Sequence, residues 1–325
     1  MACGLRLCGS ARDFQHKKFL LLLSAMIRYT LLFIVHVLSV IHINGQGCSD
    51  AGACSITTFA PKPTEETNQP VFQLHLGATI GAADHSILAT DAEVGLSMRL
   101  SQQLSVDGKV TYALRSGNDI SVNGLGDVYL MLNYKPFGDF SFAGGIKIPM
   151  NDADAKNNGL VLPMDYQTSL GTMDLIAAIV YQKSDWLLGL GYQQPLSQNE
   201  NTFLPLDWPA DSPLQEFDPT YYFERKGDLL LRISRVIRMS DRATCRPGLL
   251  PSYHLGDDLQ RTSGIEPGID GSSGLTLNAT ARFEIQTGDT GQFNVNIGFP
   301  VIVRETRPDG LTRSFVAGVS YAHSF

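Results

Sequence analysis

Beyond residue 70 the chain alternates apolar and polar residues with a period of two. From Phe72 to Ile80 the even positions are Phe, Leu, Leu, Ala and Ile, and the odd ones are Gln73, His75, Gly77 and Thr79. Ala92 to Leu100 repeats the pattern, with Glu93, Gly95, Ser97 and Arg99 on the polar face. Leu275 to Ile285 sets six apolar residues against Thr276, Asn278, Thr280, Arg282 and Glu284. This alternation predicts strands with one apolar and one charged face. Twelve such runs emerge: 71–81, 92–101, 104–115, 125–135, 139–148, 167–182, 185–195, 227–238, 244–256, 272–286, 291–304 and 311–325. The sixth is weaker, with apolar residues on both faces, and so is the ninth, which carries Pro247 and Pro251.

The connections between runs alternate long and short. Residues 82–91, 116–124, 149–166, 196–226 and 257–271 are the long ones; 102–103, 136–138, 183–184, 239–243 and 287–290 are the short ones. A soluble sandwich has no reason to sort its loops in this way. An up-and-down barrel in a membrane does, with short periplasmic turns and long extracellular loops. In hydrocarbon every backbone N–H and C=O needs an internal partner, so strands cross only in a closed sheet. The predicted fold is therefore all-β: a transmembrane antiparallel up-and-down barrel of about twelve strands over 71–325.

On this phase the inward charges are Glu93, Arg99, Asp107, Lys109, Arg115, Asp127, Lys135, Lys147, Asp174, Arg232, Arg282 and Glu284, all lumen-lining candidates. They either knit a narrow lumen together as cross-lumen ion pairs or set the selectivity of a small polar pore. Tyr112, Tyr134, Tyr181, Trp186, Tyr192, Tyr253 and Tyr321 fall near strand ends on the outward phase, as an interfacial girdle requires. The last strand runs to Phe325 with Phe315, Val319 and Tyr321 on the lipid phase. It is expected to close the barrel against the strand at Phe72, and Phe325 to serve as the signal read by the β-barrel assembly machinery.

The apolar run 30–43, behind the positive Arg28, reads as a secretory signal core too short to span a bilayer. Residues 1–45 are expected to be a signal peptide, with Met26 as the true start. Residues 46–70, rich in Thr and Pro, are expected to form a periplasmic tether or a small plug. Removing 1–45 takes five basic and one acidic residue from totals of 25 and 32, leaving 20 against 31 and a net charge near −11. That balance argues against nucleic acid as a partner. Cys48 and Cys54 flank a short turn and are placed either to pair in an oxidising compartment or, at Cys48, to carry a lipid; Gly45-Gln-Gly-Cys48 lacks the aliphatic residue usual before a lipidated cysteine.

Gly124-Leu-Gly-Asp-Val-Tyr-Leu-Met-Leu-Asn-Tyr-Lys135 resembles the GLGD strand of outer-membrane proteins grouped with phenol-degradation (meta-pathway) transporters. The segment Cys48 to Cys54, followed by a Pro-rich stretch, resembles mature N-termini of Bacteroidetes outer-membrane proteins. The resemblance implies a channel for small, aromatic or apolar compounds, and no catalytic or binding residue is carried over with it. The readings that compete are a structural or adhesive surface barrel and, further behind, a barrel lipid hydrolase. A hydrolase needs a Ser and a His on the lipid wall. Of His75, His85, His254 and His323, His75 faces inward and no Gly-x-Ser-x-Gly element is present, so no enzyme is expected.

Loop 196–226 holds further candidates at the mouth. Trp208, Phe217, Tyr221 and Tyr222 stand among acidic residues and four prolines, an aromatic density that points to packing, either in the mouth or on a partner. Asn151-Asp-Ala-Asp154 opens like a calcium loop, but Lys156 takes the next ligand slot, so no metal and no cofactor are expected. The partners expected are outer-membrane lipid, the assembly machinery and an unidentified small solute, at the bacterial cell outer membrane.

Overall fold

Alternation becomes a wall because each strand can satisfy both of its backbone edges only by pairing on both sides. In the computed structural model, which describes residues 72–136, 138–261, 267–310 and 314–325, that pairing runs full circle. The predicted leader (1–45) and the segment 46–70, with Cys48 and Cys54, lie outside the described residues.

The strands are β1 (Phe72–Ala82), β2 (Leu88–Arg99), β3 (Leu104–Gly117), β4 (Ile120–Tyr134), β5 (Phe140–Pro149), β6 (Lys156–Asn157), β7 (Leu160–Val161), β8 (Asp174–Lys183), β9 (Trp186–Pro195), β10 (Asp228–Arg235), β11 (Ile237–Ser240), β12 (Ala243–His254), β13 (Gly274–Thr287), β14 (Gly291–Ile302) and β15 (Phe315–Ser324). β6 and β7 form a two-stranded ribbon inside a loop. The other thirteen form one antiparallel sheet in which β10 and β11 both pair with β12, so together they occupy one wall position and the wall has twelve strands. β1 pairs with β15 from Gln73↔Ser324 to Ala82↔Phe315, and Phe325 N–H donates to the carbonyl of Phe72 at 3.0 Å. The barrel closes where the sequence expects it to.

Breaks in the ladder have local causes. Pro251 lies where β10 and β12 skip pairing between Leu230↔Ser252 and Ile233↔Leu249, and Pro247 lies next to the interruption that separates β10 from β11. A proline has no N–H for the ladder, so both sit where one edge is already open. The register of β3 on β4 shifts between Val110↔Val128 and Tyr112↔Leu125. There Thr111 faces two residues, donating to the Asp127 carbonyl at 3.2 Å and accepting from the Asp127 N–H at 2.8 Å. This bulge turns the inward phase of β4 from even to odd.

Three expected boundaries are corrected. Residues 116–124 are no long loop: β3 and β4 run on and meet at Asn118 and Asp119, both at positive φ (51° and 60°), as a two-residue hairpin turn requires. Residues 167–173 belong to a loop, and the strand begins only at Asp174. The strand carrying Lys135 ends one residue earlier, at Tyr134; Lys135 is exposed beyond it at the short-turn end, outside the cavity lining, and donates its backbone N–H to the Gln103 carbonyl.

Outside, the apolar phase is bare: Leu96 is 50% and Val319 47% exposed, in a belt that includes Leu76, Val94, Leu132 and Leu190. Such a belt is a liability in water and the natural surface in hydrocarbon. Tyr134, Trp186 and Tyr321 are exposed towards one rim, Tyr112, Tyr192 and Tyr253 on the other half of the wall. No helix among the described residues is long and apolar enough to cross a membrane; the strands cross.

Candidate functional site

The interior divides into three levels, set by which strand ends and loops supply the side chains. The lowest is a cavity of about 480 Å³. It is lined near the short-turn mouth by Gln73, Gln182, Asp241, Arg242 and Gln292, and towards mid-barrel by Thr79, Lys109, Arg232, Leu250 and Thr280. On its β4 side Tyr129 and Met131 pack with Ile176, Ala178, Val180, Leu187 and Leu230, an apolar cluster that fills that half of the lumen. The cavity is thereby pushed against the polar wall of β12 to β15 and β1 to β3.

Of the predicted lumen residues, Glu93, Asp107, Lys109, Arg232, Arg282 and Glu284 line this cavity. Lys109 Nζ lies 3.2 Å from Glu93 and 4.8 Å from the centre of the Tyr129 ring. Asn133 donates to Asp107 at 2.5 Å. Arg246 and Arg282 place their Nε atoms 2.9 and 3.1 Å from the two oxygens of Glu284. Arg115, nearer the long-loop end, pairs with Asp91 at 2.7 Å, and Arg99 sits half-buried as the last residue of β2. Periodicity missed Arg246 because the two prolines of β12 obscured its phase; His75, hydrogen-bonded to Ser97 at 3.2 Å, also lines the cavity.

The middle level is a dry network of charges. Lys147 of β5 is 2.8 Å from Asp174 of β8, which also accepts from Thr172 at 2.6 Å and from Gln193. Arg225, carried by the loop before β10, pairs with Asp228 and stands 3.9 Å from Asp174 and 3.9 Å from Asp309. His254 holds Asp228 on one ring nitrogen and Asp258 on the other, each at 2.7 Å. Both nitrogens donate only in the imidazolium form. Arg304 lies 2.8 Å from Asp309 and donates to the Ser272 carbonyl at 2.6 Å. All eight ionic groups are at most 4% exposed. Lys147, Arg225, Arg304 and the imidazolium balance Asp174, Asp228, Asp258 and Asp309, which is the condition for burying charges at all. Burial by itself would push the Asp309 carboxyl up, but Arg304 and Arg225 outweigh it and hold it at about 2. Of this network the sequence singled out only Lys147 and Asp174; the others stand in loops or at strand ends, where no periodicity marks them.

Above the network the loops form a lid with its own core. Ala83 and Ile87 from the first loop, Leu162 and Tyr166 from the third, and Phe203, Leu214 and Phe217 from the longest are buried together, with Trp208 half-buried against them. Trp208 Nε1–H donates to the Val161 carbonyl at 3.2 Å, and Phe217 lies 4.1 Å from the His85 ring. Tyr221 and Tyr222 meet edge to face, with Tyr222 exposed. Gly310, at φ 65°, lies so close to Met164 and Asp165 that a Cβ there would fall 2.4 Å from the Asp165 nitrogen. Although Asp165 keeps partial exposure, its carboxyl group is enclosed, and burial followed by the carboxylates Asp84, Asp309 and Asp218 pushes it up to about 7.

The GLGD segment fastens this lid to the wall. Gly126 sits in the bulge, where a Cβ would fall 2.4 Å from Thr111 Oγ1 and 2.9 Å from the Thr168 carbonyl. Leu125 accepts from Asn151 at 2.9 Å and from Thr168 at 3.2 Å, and Asp127 from Ser169 at 2.5 Å. Asn151 is thus a tie between loop and wall, and Asp154 lies 3.8 Å from Lys156. No group of potential metal ligands occurs among the described residues.

A closed antiparallel barrel with an apolar exterior and a charged interior is a transmembrane β-barrel, of the class held by bacterial outer membranes, with its short turns in the periplasm. Among solved structures it is similar to the CymD monoaromatic hydrocarbon channel (11% identity, 88% of this chain and 99% of that one, TM-score 0.42). It is also similar to the KdgM porin (9%, 78% and 99%, 0.42) and to the translocator domain of the autotransporter NalP from Neisseria meningitidis (10%, 80% and 90%, 0.42). No protein-family model and no curated protein sequence matches the chain.

Proposed function

We propose that this barrel is an outer-membrane channel for small solutes, held closed on its outer side by the lid and the charge network. The observation that carries the reading is the polar cavity, which reaches from the periplasmic rim to mid-barrel and ends beneath side chains that pair rather than pack. An ion-pair seal spanning loops and wall separates more readily into hydrated halves than an apolar core does. The solute class implied by the likeness of Gly124–Lys135 to meta-pathway transporters, aromatic or apolar compounds, belongs to this proposal, as does a Bacteroidetes-like origin. So do the signal peptide, the tether or plug at 46–70, and recognition of Phe325 by the assembly machinery. The only partners proposed are lipid, that machinery and the solute; nucleic acid is not among them.

The seal favours a second reading, a structural or surface barrel that never opens. A hydrolase has less support: Ser97 and His75 pair inside the lumen, away from the lipid face where such an enzyme would meet its substrate. Refolded protein in a planar bilayer separates the readings. Discrete conductance steps, more frequent when the seal is weakened at Arg225, support the channel; silence from both proteins overturns it.

A further inference from the structure

We infer that the cavity wall formed by β12, β13 and β14 is a binding site for a small organic carboxylate with an apolar body. The inference rests on the channel reading for its biological use, but the binding itself does not require conduction.

Arg246 and Arg282 are direct partners in the β12–β13 register, both inward. Like charges placed opposite one another across a ladder destabilise the pair. A single carboxylate stands between them: one Glu284 oxygen lies 3.1 Å from Arg282 Nε as an ion pair without hydrogen-bond geometry, while the other accepts from Arg246 Nε and from the Thr244 hydroxyl at 3.0 Å. Nη1 of Arg246 is left with no hydrogen-bond partner although it is shielded from bulk water. Two guanidinium groups sharing one carboxylate leave an excess positive charge directed into the cavity. Asn296, paired with Arg282 across the β13–β14 register, adds an amide donor beside it.

The wall across the cavity is of another kind. Tyr129 and Met131, backed by the apolar cluster, offer a ring face and a thioether. The acidic residues on that side are already engaged, Glu93 with Lys109 and Asp107 with Asn133. A space of about 480 Å³ with donors on one wall and an aromatic surface on the other suits a solute of one ring and one carboxylate. The forked guanidinium matches carboxylate geometry, whereas a neutral amide isostere offers a single acceptor oxygen and no charge.

Calorimetry on the detergent-solubilised full-length barrel, with benzoate, benzamide and acetate as probes, tests the site. Benzoate is expected to bind roughly tenfold or more tightly than benzamide, since a charge-assisted pair is at stake. Acetate should bind more weakly than benzoate, because it lacks the ring. Arg246→Gln should weaken benzoate at least as much as removing the ligand's charge does. Asn296→Asp, which keeps side-chain size and adds a carboxylate beside Arg282, should weaken it in a fold left intact, as judged by heat-modifiable migration. Equal binding of benzoate and benzamide, no binding of either, or unchanged affinity in both variants overturns the site. Acetate equal to benzoate overturns the apolar half. Benzoate binding by a barrel that shows no conductance would remove the channel reading and leave the site standing; conductance without benzoate binding would do the reverse.

Discussion

Arg225, from the loop between β9 and β10, holds its Nε 3.9 Å from the carboxylate of Asp309, from the loop between β14 and β15, with neither side chain reached by solvent. Two loops from different parts of the chain are thus joined inside the barrel by one guanidinium that also meets Asp174 and Asp228 on the wall. Arg225→Gln leaves these carboxylates with one cation fewer. Removing one partner of a buried pair costs about 3–5 kcal/mol. The loss should fall on the lid, because the wall is held by its own ladder. Single-channel recording should show more frequent opening with unchanged heat-modifiable migration; a normally folded variant that opens no more often than a conducting parent would show that the network is not the seal.

Acid should loosen the same junction. The Asp309 carboxyl, held at about 2, lies below its ordinary value, so its stabilising effect is present above about pH 4 and is lost as pH falls towards 2. Trp208 reports on the lid, and Trp186 stands on the outer wall. In a Trp186→Phe background, Trp208 emission should shift to the red between those pH values, and Asp309→Asn should remove that transition.

Asp165 works in the opposite sense. Its carboxyl is pushed up to about 7, so the folded lid favours the protonated form. The associated stability is present below about pH 4 and is lost as pH rises to 7. Asp165→Asn should therefore stabilise the lid at pH 8, by about 1–2 kcal/mol once its partial exposure is discounted. Denaturant titration of Trp208 emission at pH 5 and pH 8 checks this; an equal effect at both values would disprove it.

Gly126→Ala tests the bulge. A Cβ there must push aside Thr111 or the Thr168 backbone. Overpacking of this kind costs about 1–3 kcal/mol. Protease should cut loop 150–173 faster in the variant while the barrel persists, since Asn151, Thr168 and Ser169 are fastened beside this glycine.

The two faces of β2 should respond differently to charge. Leu96 is exposed on the outer belt, and Ser97 faces the cavity. Lysine at Leu96, between mid-depth and the short-turn rim, should cost about 1–3 kcal/mol in a bilayer. Lysine at Ser97 should be tolerated better, and urea unfolding from liposomes compares the two. The reverse order would mean that the barrel does not sit in lipid by this face.

Strand identity was legible because a side chain on β2 or β13 can face only lipid or lumen, so polarity alone sorts Leu96 from Ser97 and Phe283 from Glu284. The Asn118-Asp119 turn was written there too, as two residues that tolerate positive φ, but the surrounding polar stretch made it resemble a loop. Lys135 falls beyond the wall because phase continues on paper after a strand has ended. Arg246 was overlooked because the prolines of β12 fall where the β10–β12 ladder is interrupted, which only pairing reveals.

The order of polar and apolar residues determines by itself that the chain forms a closed wall, because lipid leaves no other way to satisfy a strand's backbone. It also marks the inward charges of regular strands, such as Lys109, Arg282 and Glu284. Which charges meet was decided by tertiary structure alone. Arg225, Asp258, Arg304 and Asp309 come from loops or strand flanks, where no period constrains direction, and they become one network only because closure brings β8, β10, β12 and three loops to one end of the lumen. Their energy depends on mutual distance in a dry interior, a quantity that no local pattern along the chain encodes.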